Sequence, residues 1–257
     1  MKPRLDDRAV LITGGGSGIG RATALEVAAR GGSAAVLDRN FDGVEETAAL
    51  VHAAGGRALA LPVDVADELA VHEAVTRTVA EFGRLDGVVT AAGIFDGPDL
   101  QPLADVTLET FNRTLSINLT GTFLAIKFAI PHLVREAGEP RSSVVTIAST
   151  AALRGHGYGS GYTASKGGVV ALTRLVAVQY GPRGVRSNCI CPGAVDTPMT
   201  NGVWDNDESR ARMKRDVPLG VVAEAGDIAS VAGFLLSADA HHLTGQVMAV
   251  DGGSTST

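Results

Sequence analysis

Short runs of continuous apolar residues recur along the chain, separated by longer stretches in which apolar positions return every three or four residues. The first run, residues 8–13 (R-A-V-L-I-T), precedes a helical period over 21–30. The pattern then repeats, with strands at 33–38, 57–63, 86–91, 142–148, 185–190 and 246–250. Helices are expected at 42–54, 67–82, within 108–136, after Gly161 and at 227–237. Apolar strands without polar alternation are covered on both faces, and strands that alternate with helices pair in parallel. The chain therefore predicts an α/β fold, a doubly wound parallel sheet of about seven strands with helices on both faces. Ligands of such sheets bind beyond the carboxyl ends of the strands, where the strand order reverses. One stretch breaks the rhythm. Residues 195–215 carry the single tryptophan, Trp204, and read as a lid-like insertion in a single domain spanning 1–257. An ordinary surface helix with a packed Trp204 is the alternative.

Composition narrows the partners. With 257 residues, 45% of them hydrophobic, there is ample material for one large core. A net charge of −6 with no basic run speaks against nucleic acid. No apolar run reaches the length of a membrane span, and M-K-P-R-L-D-D-R is not a signal peptide, so no membrane partner is expected. Cys189 and Cys191 sit two apart in an apolar strand, where they cannot bridge each other; buried free thiols and a cytoplasmic location follow. No metal site is expected.

The chemistry gathers in a few places. Gly14, Gly18 and Gly20, with Ser17 and Ile19 among them, form a turn between the first strand and its helix. Such a turn brings backbone N–H groups and the positive helix end up to a pyrophosphate. The spacing is not G-x-G-x-x-G, and glycine-rich turns are also common punctuation. Asp38 closes the second strand and can accept hydrogen bonds from the adenosine ribose. Its charge would repel a 2′-phosphate, which favours NAD over NADP. Arg39 beside it can stack on adenine or tolerate a phosphate, and Asp38 can also be read as turn chemistry alone. Tyr162 and Lys166, four apart in a helical period, share one helix face. The ammonium would favour the phenolate and draw the phenol toward neutrality. Ser149, at a strand end, can bond the same oxygen. Taken alone, most pairs at this spacing are no more than an amphipathic surface.

T-G-G-G-S-G-I-G, Asn118, Ser149 and Tyr162-x-x-x-Lys166 together resemble the short-chain dehydrogenase/reductase family, over about residues 8–253. The resemblance implies a Rossmann-like fold, a nicotinamide cofactor and a homotetramer built through the long helices and the last strand. It makes Asn118, Ser149, Tyr162 and Lys166 the catalytic set, with Asn118 kinking its helix and holding a water that links Lys166 to solvent. An Asn bonding a neighbouring helix is the alternative there. The resemblance also places Asp64 and Val65 at the adenine, and Ala92 and Gly93 close to the cofactor. Pro192 and Gly193 would shape the nicotinamide pocket, Val195 and Thr197 would hold its carboxamide, and Lys166 would bind the nicotinamide ribose. The fourth strand departs from the family's Asn-Asn-Ala-Gly and reads Thr90-Ala91-Ala92-Gly93. Thr90 is expected to keep one side-chain hydrogen bond, whereas Ala91 cannot replace an amide; weaker local order or a repaired network should result.

The implied reaction is hydride transfer between a secondary alcohol and a ketone, with Tyr162 as proton acceptor or donor. Phe95, Ala151, Leu153, His156, Tyr158 and Trp204 are expected around the substrate, which favours a hydrophobic, cyclic small molecule. An NADP-dependent 3-oxoacyl-carrier reductase is the alternative, kept open by Arg210, Arg212, Lys214 and Arg215. A non-catalytic dinucleotide-binding regulator is the third reading.

Overall fold

The structure is a computed structural model and describes residues 4–95, 97–136, 139, 141–155, 159–201 and 207–256, without the side chains of 209, 210, 212 and 213. Seven strands form the main sheet: β1 (Ala9–Thr13), β2 (Ser33–Asp38), β3 (Arg57–Pro62), β4 (Gly87–Thr90), β5 (Ser142–Ile147), β6 (Val185–Pro192) and β9 (Val247–Val250). Their order is β3-β2-β1-β4-β5-β6-β9, and every pairing is parallel. The order reverses between β1 and β4, so a crevice opens beyond Thr13 and Thr90, which lie in register. Two further strands, β7 (Val195–Asp196) and β8 (Ala223–Glu224), pair only with each other.

Alternation along the strands feeds two cores. Val10, Ile12, Val36 and Ile190 face α1 (Gly18–Ala29), α2 (Phe41–Ala53) and α8 (Ala225–Leu236). Leu11, Leu37, Val88 and Val144 face α3 (Glu68–Phe82), α5 (Gly121–Leu133) and α6 (Ser160–Tyr180). The continuous apolar strands are thus covered on both sides, as their sequence requires. Predicted and observed strands agree within a few residues. Helix α1 starts at Gly18, ahead of the expected 21, because its first turn is made of residues whose propensity hides it.

The long helix expected within 108–136 is one continuous run of three parts. α4 (Leu108–Leu115) passes through a π-turn, Ser116–Thr120, into α5. By length and mean hydropathy alone the run Leu108–Leu133 would pass for a membrane span, contrary to the reading that no run is long enough. Half of its most apolar stretch is buried within the fold, with α4 on α6 and α5 on α3, while Leu108 and Phe123 stay exposed. In the lid-like stretch the described parts are β7, a 3-10 turn at Pro198–Thr200 and α7 (Asp207–Asp216). Trp204 lies outside the described residues, as do His156 and Tyr158.

Candidate active site

The crevice at the switch point is a cleft of about 220 Å³. It is lined by Gly14, Ser17, Gly18, Ile19 and Gly20 from the turn after β1, Asp38 and Arg39 after β2, Asp64 and Val65 after β3, Ala92 and Gly93 after β4, and Thr197. All of these were expected from the sequence. Val63, Ala91, Ile94, Ile117, Pro198 and Met199 line it as well and were not singled out for it. Pro192, Gly193 and Val195 do not reach its wall: Pro192 ends β6 and Val195 is buried in β7, pairing with Ala223.

The turn works by close approach. Gly14 has φ +70°, and a Cβ on it would stand 2.6 Å from the Ala92 nitrogen, so the first turn and the fourth strand's end touch through backbone. The Asp38 carboxylate faces the same turn, accepting the N–H of Gly16 at 3.1 Å and that of Asn40 at 3.0 Å.

The Thr90-Ala91 departure is resolved by backbone. Ala91 donates its N–H to the Thr13 carbonyl and Ala92 donates to the Thr13 hydroxyl, both at 3.2 Å. The network is repaired from the β1 side. The expectation for Thr90 is corrected: its hydroxyl is buried and has no partner among the described residues. Its side chain stands between in-register Thr13 and Thr146, whose hydroxyls are engaged elsewhere, with the Ala92 N–H and with Thr173.

Asn118 sits in the π-turn, fully buried. Its Oδ1 accepts the N–H of Ile94 at 2.8 Å, and its amide nitrogen donates to the Ile94 carbonyl at 3.0 Å and to the Ser165 hydroxyl at 3.2 Å. A Cβ on Gly93 would lie 3.2 Å from Asn118 Oδ1 and 3.6 Å from Lys166 Nζ, so the missing side chain leaves room between the two. The bond to a neighbouring helix that was the alternative reading, here to Ser165 on α6, is therefore present alongside the clamp on Ile94.

Lys166 and Tyr162 lie one turn apart on α6, with Lys166 Nζ 5.6 Å from the Tyr162 ring centroid. Nζ donates to the Ile147 carbonyl at 3.0 Å, two residues before Ser149. Burial pushes the Lys166 ammonium down from 10.5 to about 8, while the Cys189 and Cys191 thiols near it act the other way. Ser149 starts the 3-10 turn Thr150–Ala152, and its Oγ accepts the N–H of Ala151 at 3.1 Å. Phe95 meets the Tyr162 ring edge-on, centroids 4.9 Å apart. Ala151 is buried and Leu153 exposed beside this turn. The two thiols lie 4.0 Å apart, buried and unbridged.

A glycine turn at a switch point and an acid closing β2 line one cleft, and a phenol stands one turn from a buried ammonium that lies beside Gly93 on its wall. Residues 14–255 match the family described as Enoyl-(Acyl carrier protein) reductase. Levodione reductase of Leifsonia aquatica is 42% identical over 260 residues, covering 98% of this chain and 96% of that protein. The chain belongs to the short-chain dehydrogenase/reductase family. A 2,5-dichloro-2,5-cyclohexadiene-1,4-diol dehydrogenase of Sphingobium indicum is 40% identical over 252 residues, covering 98% of each chain. The crystal structure of levodione reductase superposes with a TM-score of 0.92 at 40% identity, covering 99% of this chain and 100% of that one. This short-chain dehydrogenase/reductase is an oxidoreductase of CH–OH groups and their carbonyls, and takes a nicotinamide dinucleotide as cofactor.

Proposed function

We propose that the cofactor is NAD and the substrate a hydrophobic, cyclic secondary alcohol or the matching ketone. The observation that carries the reading is the convergence of Lys166, Tyr162 and the β5 end, with Lys166 Nζ beside Gly93, which lines the cleft. The residues present fit a dinucleotide, because the glycine turn after β1, Asp38 after β2 and Ala92–Gly93 after β4 line one cleft at the switch point. When bound, the nicotinamide supplies the hydride acceptor or donor. Everything else falls to the chain. Gly14, Ser17, Gly18, Ile19 and Gly20 present N–H groups to the pyrophosphate, and Asp38 takes the adenosine ribose hydroxyls. Asp64 and Val65 bracket the adenine, Arg39 stacks nearby, and Ala92, Gly93 and Thr197 shape the nicotinamide end, with Pro192, Gly193 and Val195 carrying the chain to Thr197 behind its wall. Tyr162 receives the alcohol proton at its phenolic oxygen, Ser149 holds the reacting oxygen, and Lys166 favours the phenolate and binds the ribose. Asn118 fixes the backbone that carries the proton path.

Phe95, Ala151 and Leu153 give the substrate side an apolar wall, and the Sphingobium relative's substrate, as named, is a ring diol. Leu108, Phe123, Leu175 and Val178 leave large apolar surface exposed, and β9 is an edge strand; both support a homotetramer. We place the chain in the cytoplasm, where its two buried free thiols would stay reduced.

The test is reduced-nicotinamide formation from a panel of cyclic and acyclic secondary alcohols, with NAD and NADP side by side. Turnover of a cyclic alcohol with NAD, abolished in Tyr162→Phe with NAD binding kept, is the expected result. Turnover with NADP alone overturns the Asp38 reading and puts the carrier-linked reductase first.

A further inference from the structure

The first turn of α6, which carries Tyr162, has no cap of its own. Gly159 stands at the N-cap position without a side chain, and the turn contains no acidic residue. Its backbone donors are met from the other side of the fold. Asp99, in the 3-10 turn Gly97–Leu100 after β4, is 1% exposed. Its carboxylate accepts the N–H of Gly161 at 2.8 Å and that of Tyr162 at 2.7 Å, with the Ser160 hydroxyl at 3.4 Å.

The glycine-rich run before Tyr162 follows from this contact. A Cβ on Gly159 would collide with the Asp99 carboxylate, and one on Gly161 would lie 3.1 Å from Oδ1. Phe95, on the same loop as Asp99, packs against the Tyr162 ring, and Ile94 is clamped by Asn118. One short segment therefore holds Tyr162 twice, by its ring and by its backbone N–H, and is itself anchored at its other end.

We infer that Asp99 is a positioning residue for Tyr162: its carboxylate caps α6 from across the fold and holds the phenol in register with Lys166 and Ser149. The inference rests on the acid–base reading of Tyr162. Asp99 also carries a charge. An uncapped helix start presents partial positive charge that favours a nearby anion, and a carboxylate placed there offsets it. The ionisable groups that these contacts put near Tyr162 are Asp99 at its backbone N–H, Lys166 one turn on beside its ring, and, behind Lys166, Cys189 and Cys191 on β6. Asp99→Asn alters the first alone. It keeps the shape, loses the charge, and turns an amide NH2 toward a backbone N–H that needs an acceptor.

The experiment labels the chain with 13Cζ-tyrosine, which gives three signals for three tyrosines, the Tyr162 signal being the one lost in Tyr162→Phe. The titration midpoint of Tyr162 is compared between the parent and Asp99→Asn, together with kcat and the KM for NAD. The expected result is a midpoint lowered by about half a unit, a kcat reduced about tenfold, and a KM for NAD within about twofold. Asp99→Ala, which accepts neither N–H, should lose more kcat. If Asp99→Asn does not fold, Asp99→Ser carries the same readouts, since its hydroxyl can accept one of the two donors. An unmoved Tyr162 midpoint overturns the proposal whatever happens to kcat. Turnover surviving in Tyr162→Phe would instead remove the acid–base reading, while the titration still reports whether Asp99 governs the phenol.

Discussion

Asn118 holds Ile94 by both of its backbone groups, accepting the N–H at 2.8 Å and donating to the carbonyl at 3.0 Å. The clamp fixes the strand end that walls the cofactor cleft. Asn118→Ala leaves both groups of Ile94 without their partner and should cost about 1–3 kcal/mol in urea denaturation. The same variant should raise the KM for NAD, because Ala92, Gly93 and Ile94 all line the cleft. Unchanged stability would show that the clamp is dispensable.

Lys166 sets function against stability. Its folded pKa, about 8, lies below the ordinary 10.5 because burial disfavours the ammonium. The unfolded chain binds that proton more tightly, so the penalty is full below about pH 8 and is relieved as pH rises toward 10.5. Lys166→Met should abolish turnover and yet stabilise the fold at pH 7 by about 1–3 kcal/mol, less the hydrogen bond to Ile147. Thermal melts at pH 7 and pH 10 check it, with the advantage of the variant shrinking at the higher pH.

The Thr90 hydroxyl is buried with no partner among the described residues, while in-register Thr146 on β5 shares a 2.7 Å hydrogen bond with Thr173. Thr90→Val keeps the shape and removes the unpaired group, and should gain about 1 kcal/mol. Thr146→Val is the control and should lose about as much. Equal effects from the two would contradict the difference in their pairing.

Asp86 governs the acid limb. Burial works against its charge, but hydrogen bonds from Arg84, the Ala9 N–H and Arg135 outweigh it and hold the carboxyl below 3.8. As pH falls the unfolded chain is protonated first. The stability from Asp86 is therefore full above about pH 4 and disappears as pH drops through the folded value. Asp86→Asn should be less stable at pH 7 and lose less between pH 5 and pH 3, read by denaturant midpoints across that range.

Much of the fold could be read from local pattern. The strands of the main sheet show as mostly apolar runs, because burial on both faces favours apolar side chains, and Gly14, Asp38 and Lys166 stand where strand-to-helix spacing puts them. What escaped was long-range or backbone in origin. The cap by Asp99 joins residues more than sixty apart, and nothing near Gly159 announces it. The π-turn around Asn118 changes hydrogen-bond register without breaking the helical period, so the sequence shows only an ill-fitting Asn. Thr90 was expected to find a bond because its partner could be judged only once the backbone of 91–92 was seen to take both acceptors of Thr13.

The seventh strand also fixes when the sheet can be completed. β6 is an inner strand only because β9 lies beside it, and β9 is the last of the sheet's strands in chain order. While the chain is being synthesised, β6 is a bare apolar edge carrying both thiols, and it remains so until residues 247–250 have left the ribosome. Late pairing between strands distant in sequence is slow and exposes surface that sticks to other chains. A chain cut short before Val247 would keep its cleft-forming half and still leave that edge open, making it a substrate for chaperones and proteases.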